Sequence, residues 1–312
     1  MLKKIALTVL FLAANSFSQS SYNRIENKFE KVEGINIFYR EVGSANMPTV
    51  VFLHGTPSSS FMYQQLIYNL AENFHCISPD YSGFGFSDSP AMSKYDYTFE
   101  NIANTLDKFL TQLGLDKYSF YMQDYGAPFS FRLALKHPEK IIALITQNGN
   151  AYLDGFPLAQ GPQSELMKFW NSNNPKDKED FNKDYKNFPI PSSENWKFSP
   201  IDSPDRRLID AYHMKVPGKV DLRYHLWHDY GSNVQMYPKW QEYLRTYQPP
   251  VLVVWGKEDK FFTTPGAIAF LKDVPKAEVH LLNAGHWASV EEPELIAELI
   301  KSFFIRNNLM NN

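Results

Sequence analysis

The chain has 312 residues, 44% of them hydrophobic and 15% aromatic, enough apolar surface for one large core or a core with a smaller appended domain. With 31 Lys and Arg against 34 Asp and Glu the formal net charge is −3, so there is no basic excess of the kind that binds nucleic acid. Beyond the N-terminus no stretch approaches the roughly 20 apolar residues needed to span a bilayer.

The N-terminus has its own layout. Lys3 and Lys4 precede an apolar run from Ile5 to Ala14, followed by the small, polar stretch Asn15-Ser16-Phe17-Ser18-Gln19. A positive start, a short apolar run and small residues at alternate positions, with Ser16 and Ser18 at −3 and −1 of a cleavage site, form a secretory signal. The expectation is that residues 1–19 are removed and that the mature chain is periplasmic or secreted, with no span left. Cys76 is the single cysteine, so no intrachain disulfide can form, and within His75-Cys76-Ile77-Ser78 it reads as a packing residue.

From residue 34 strand-like and helix-like runs alternate. Strands are expected at 35–40, 49–53, 75–79, 118–123, 141–146, 251–255 and 278–282. Continuously apolar runs such as Thr49 to Leu53 suit a strand buried on both faces. Helices are expected at 60–72, 97–113, 127–136, 264–272 and 292–306. This rhythm predicts an α/β fold, a mostly parallel central sheet flanked by helices. Residues 151–246 break it: they are rich in aromatics, Asn, Pro and charge, with short helices expected from Ser164 to Trp170, Lys176 to Tyr185, Pro204 to Met214 and Leu222 to Asp229. So long a stretch is improbable as loop, and it reads as a helical cap inserted between core segments 30–150 and 247–308.

Four short segments follow predicted strands, at the end of the sheet where α/β active sites lie. They are His54-Gly55-Thr56-Pro57, Asp124-Tyr125-Gly126-Ala127, Asp259 after Trp255-Gly-Lys-Glu258, and Gly285-His286-Trp287. Alone, an Asp after a strand is usually an N-cap, and a lone His is usually a packed or surface residue. Together they run nucleophile, acid, base, the chain order of the α/β-hydrolase arrangement. His213, His225 and His228 lack a full ligand set at short spacing, so no metal is expected, and no cofactor.

With these residues in view, the chain from about 30 to 306 resembles the α/β-hydrolase superfamily, in its epoxide hydrolase and haloalkane dehalogenase branch. Leu53-His-Gly-Thr-Pro-Ser-Ser-Ser60, Pro79-Asp-Tyr-Ser-Gly-Phe-Gly-Phe-Ser-Asp88, Met122-Gln-Asp-Tyr-Gly-Ala127 and Gly285-His286 carry the resemblance. It implies a cap over the site and a carboxylate nucleophile, Asp124. A carboxylate attacking a saturated carbon gives an ester that water can cleave, whereas serine there would give an inert ether. His286 would activate that water. Asp259 is implied as the residue orienting it, in preference to Glu258, whose side chain should point away in an extended segment. The N–H groups of Thr56 and Tyr125 would form the oxyanion hole, and His54 would order its turn.

The leaving group is weighed on the same resemblance. Such dehalogenases supply an indole directly after the nucleophile, and one group of them an Asn after His-Gly; here those positions hold Tyr125 and Thr56. Fluoroacetate-type enzymes carry an Arg after the nucleophile, which this chain lacks. Epoxide hydrolases use cap tyrosines as O–H donors, and Tyr237 best matches their position, with Tyr230 and Tyr212 next. The expected function is opening of an epoxide on a small apolar organic molecule. The alternatives are a dehalogenase with an atypical halide site and a small-ligand-binding relative with little turnover. Oligomeric state is not legible in the sequence.

Overall fold

The computed structural model describes residues 24–157, 164–186, 190–192 and 202–310. The expected signal, residues 1–19, lies outside the described residues. Eight strands form one sheet: β1 (Glu26–Val32), β2 (Ile35–Val42), β3 (Thr49–Leu53), β4 (His75–Pro79), β5 (Tyr118–Gln123), β6 (Ile141–Gln147), β7 (Val251–Gly256) and β8 (Glu278–Leu282). Their order is β1-β2-β4-β3-β5-β6-β7-β8. β2 runs antiparallel to both β1 and β4, and every other pair is parallel.

The alternation of strand side chains sorts the core into two layers. Val50, Phe52, Tyr121, Ile145 and Val254 point to one face, against α1 (Gln64–Leu70) and α11 (Pro293–Arg306). Val51, Leu53, Phe120, Met122 and Val253 point to the other, against α2 (Phe99–Gln112) and α3 (Gly126–Lys136). With both faces covered, β4, β5 and β7 are buried along their whole length, and β7 reads as an unbroken apolar run from Val251 to Trp255. α2 begins at an N-cap, Thr98 Oγ1 accepting from the Asn101 N–H, and buries Phe99, Ile102, Ala103, Leu106, Phe109 and Leu110 at helical spacing.

Between β6 and β7 the chain leaves the sheet. α4 (Glu165–Trp170), α5 (Pro175–Lys186), α6 (Pro204–Met214), α7 (Lys219–Asp229) and α8 (Gly231–Tyr247) lie in this stretch, the segment expected from the sequence as a cap. α9 (Thr264–Ala269) and α10 (Ala288–Glu291) follow β7 and β8. The sequence pattern gave no helix for α8, because Gly231 and Pro238 read as breaks. The helix runs through Pro238, whose ring removes one donor without ending the element. β1 was also not expected: ENKFEKV is mostly exposed, as an edge strand can be.

The cap is seated on α3 by two kinds of contact. Trp240 on α8 stacks on Phe131 with ring centroids 5.2 Å apart and 11° between planes. The buried Arg132 side chain donates to Asn233 Oδ1 at 2.6 Å, to Ser232 Oγ at 3.3 Å and to Glu100 on α2 at 3.1 Å. Removing the indole would leave a cavity at this junction. Trp240→Ala is therefore expected to lower unfolding free energy by about 3–5 kcal/mol, read from denaturant midpoints; a change below about 1 kcal/mol would mean that the cap is not held through this contact.

Candidate active site

β5 ends in an abrupt turn. Asp124 takes a left-handed backbone with φ +50°, and α3 starts two residues later. The turn needs small neighbours: a Cβ on Gly126 would collide with the Leu53 carbonyl, and one on Gly55 with the Asp124 side chain. The Asp124 carboxylate is thereby lifted into the space above β3 and β5. Its Oδ1 accepts from the Thr56 N–H at 2.8 Å, and the Tyr125 N–H adds a second hydrogen bond to the carboxylate. Its Oδ2 lies 3.8 Å from His286 Nε2. Burial raises the pKa of Asp124, against the opposing effects of His286 and the two N–H groups.

His286 follows β8 and meets Asp259 from the end of β7. Its Nδ1 donates to Asp259 Oδ2 at 2.7 Å, while Asp259 Oδ1 accepts from the N–H groups of Phe261 at 2.7 Å and Phe262 at 3.2 Å. Asp259 is buried, whereas the neighbouring Glu258 is exposed. Burial pulls the His286 pKa down, but the charge and hydrogen bond of Asp259, with the charge of Asp124, outweigh it and leave it raised.

Three residues to which sequence reasoning gave no catalytic role complete this frame, Gln123 having been noted only within its motif with Asp124. Asn148, after β6 with φ +46°, donates to Asp259 Oδ2 at 2.8 Å and accepts from the Gly256 N–H at 2.9 Å. Gln123 donates to His286 Nε2 at 2.9 Å, which fits the tautomer with its proton on Nδ1, and to the His286 carbonyl at 3.1 Å. Gln147 holds that same carbonyl at 3.0 Å. The Gln123-Asp124 pair was visible as a motif, but what the amide contacts is set by a residue 163 positions away.

Above Asp124 and His286 lies a cavity of about 310 Å³, walled by Thr56, Tyr125, Phe156, Trp227, Phe262 and Trp287 and by the charged cap residues Arg206, Asp210 and Arg223, among others. The wall is mixed rather than purely apolar. Four of the expected site residues are not among those lining it. His54 is fully buried and stacks on Tyr81 at 4.0 Å, with its pKa lowered to about 4 by burial. Tyr212 is 66% exposed on the outer side of α6, so its side chain points to solvent. Tyr230 and Tyr237 are buried and not among the residues lining the cavity, yet both lie close enough to Asp124 to feel its charge; Tyr230 packs on Tyr125 and Phe156 with ring centroids 5.8 and 5.7 Å away. Their hydroxyls interact with each other, and neither makes a well-formed hydrogen bond to another described residue.

A mostly parallel sheet carrying a buried carboxylate on a strained strand-to-helix turn, with a His–Asp pair from the last two strands, is the architecture of an α/β hydrolase. A family profile for the alpha/beta hydrolase fold matches residues 48–197. An uncharacterized hydrolase of Saccharomyces cerevisiae is 36% identical over 284 residues, covering 90% of this chain and 97% of its own. The chain belongs to the α/β-hydrolase family and is a hydrolase of that fold. Solved structures of the same fold include an ancestral haloalkane dehalogenase, 23% identical with a TM-score of 0.73 over 90% of this chain and 99% of that one. An epoxide hydrolase, 20% identical, has a TM-score of 0.71 over 91% of this chain and 100% of its own.

The electrostatics of His286 give a test. Only the neutral imidazole can accept a proton, so turnover is expected to fall as pH drops through a pKa lying above the ordinary value near 6.5. Asp259→Asn removes the charge that raises this pKa; the acid limb should move to lower pH while turnover falls by about 10²-fold or more. A limb that stays in place in the variant would show that His286 does not govern it.

Proposed function

We propose that the protein opens an epoxide to a diol through a covalent ester on Asp124. The observation that supports this most is the Asp124 carboxylate itself: Oδ1 is bound by the Thr56 N–H, leaving Oδ2 directed toward His286 and the cavity. In this reading Oδ2 attacks a ring carbon, the ring C–O bond breaks, and the oxygen takes a proton from a cap phenol. Water then loses a proton to His286 and adds to the carboxyl carbon of Asp124. The resulting oxyanion is held by the N–H groups of Thr56 and Tyr125. The proton on His286 passes to the departing alkoxide, and the acid proton of Asp124 returns to the phenolate. The phenol would come from Tyr237 or Tyr230. The two hydroxyls are buried against each other with no well-formed hydrogen bond to another described residue, so a ring oxygen accepting from one of them would supply a bond worth about 1–3 kcal/mol. Burial also raises both phenol pKa values, which keeps them protonated as donors.

The second reading is halide displacement, favoured by the two cavity-wall indoles, Trp227 and Trp287. One experiment separates the readings. His286→Gln, which stops the water step, is expected to accumulate an ester on the peptide bearing Asp124. With an epoxide the mass gain equals the whole substrate; with an alkyl halide it equals the substrate less the hydrogen halide. A gain on another residue would sink the nucleophile assignment, and a halide adduct without an epoxide adduct would sink the epoxide reading. Tyr237→Phe and Tyr230→Phe should each slow epoxide opening by about 10–10³-fold. If both variants and the double variant open epoxides at the original rate, the proton comes from elsewhere.

A further inference from the structure

The cap brings more positive charge to the cavity than a neutral substrate calls for. Three guanidinium groups line it, those of Arg206 and Arg207 on α6 and Arg223 on α7, against one cap carboxylate in the wall, Asp210. A second carboxylate, Asp202, lies behind them and is shared: it accepts from Arg206 Nη2 at 2.9 Å and from Arg207 Nε. Lys219, also buried, adds a fourth cation on α7, its ammonium donating to the Gly83 carbonyl at 2.6 Å. From the core, Asp80 acts on both Arg40 and Lys219 while its oxygens accept from the N–H groups of Ser60 and Phe86, and Glu291, within range of the Arg206 charge, accepts from the Gly285 N–H.

These groups are also fixed in place. Arg206 and Asp210 stand at i and i+4 on one face of α6, and Asp202, just before the helix, stands four residues ahead of Arg206; all three side chains are 3% exposed, and Arg206 Nη1 reaches Asp210 Oδ2 at 2.6 Å. The Arg206 guanidinium lies 4.1 Å from the ring centroid of Trp287, the residue after His286, and its buried Nε has no hydrogen-bond partner among the described residues. Arg223 lies 3.4 Å over the Phe84 ring and donates to the Pro57 carbonyl at 3.3 Å. Burying cations this way carries a large desolvation cost, which an anionic occupant would offset. Oriented guanidinium groups suit a carboxylate, which accepts two parallel hydrogen bonds. Asp210 in the same wall and the charge of Asp124 below it disfavour a dianion.

We propose that the cap arginines bind a carboxylate group of the substrate, so that, on the reading of the site as an epoxide hydrolase, the substrate is an epoxy acid. The aromatic part of the wall, Phe156, Trp227 and Phe262, then takes its carbon chain.

The test uses the full chain and two unreactive probes of equal shape, hexanoate and hexanamide. Calorimetry at low ionic strength is expected to show hexanoate binding about 10-fold or more tighter, with the preference shrinking at high salt. Arg223→Gln should bring the ratio toward one, and Arg207→Gln, at a half-buried position where folding is less at risk, should reduce it too. Equal affinity for the two probes, no binding of hexanoate, or a ratio unchanged in both variants would overturn the proposal. Epoxyhexanoate and epoxyhexanamide then separate the two claims. Preferred binding of hexanoate with neither epoxide opened removes the epoxide reading and leaves the carboxylate site. Equal opening of both epoxides does the reverse.

Discussion

Asp124 stands clear of the sheet because its backbone is left-handed, a conformation that costs a non-glycine residue about 1–2 kcal/mol. The packing around it holds the turn in that state: Gly126 lets α3 press against the Leu53 carbonyl, and Gly55 leaves room for the carboxylate. The same geometry brings the Thr56 N–H from the end of β3 onto Oδ1. One oxygen is thereby bound in the place where an oxyanion would be stabilised, and the other is aimed at His286. An ordinary turn here would retain every residue type of the site and lose the arrangement.

Around this turn the frame is built from hydrogen bonds between strand ends. Asn148 accepts from β7 and donates to Asp259, while its own carbonyl accepts from the Asp124 N–H at 3.3 Å. Gln123 and Gln147 hold the His286 loop by its carbonyl. The carboxylate, imidazole and second carboxylate come from three loops, and these amides fix their spacing. Above them, Arg206 packed on Trp287 joins the cap to the loop that carries His286, so cap position and base position are physically coupled.

Much of this was legible in the sequence, for physical reasons that also explain the gaps. Six of the seven expected strands are largely buried by helices, which favours apolar residues, and β8 at one sheet edge is only partly buried; β1, largely exposed at the other edge, carries no such signal. α8 was hidden by Gly231 and Pro238, yet Gly231 serves to let Trp170 pack close, and the helix tolerates the proline. Asp124, Asp259, His286, Thr56 and Tyr125 fall in local motifs at strand ends, so position together with the family resemblance singled them out. Gln123, Asn148 and Arg206 act through partners far away in the chain. Tyr212 illustrates the converse: a tyrosine in the cap has a face as well as a position, and on α6 the face turned inward belongs to Arg206 and Asp210.

The claim on which the chemistry turns is that the attacking oxygen belongs to Asp124 and not to water. A single turnover in ¹⁸O-labelled water, with enzyme in excess over an epoxide substrate, measures this directly. If water cleaves an ester at the carboxyl carbon, the product carries unlabelled oxygen from Asp124, and the peptide containing Asp124 gains the heavy isotope. Heavy oxygen in the first-turnover product, with none in that peptide, would mean that water attacks the substrate itself and would contradict the account.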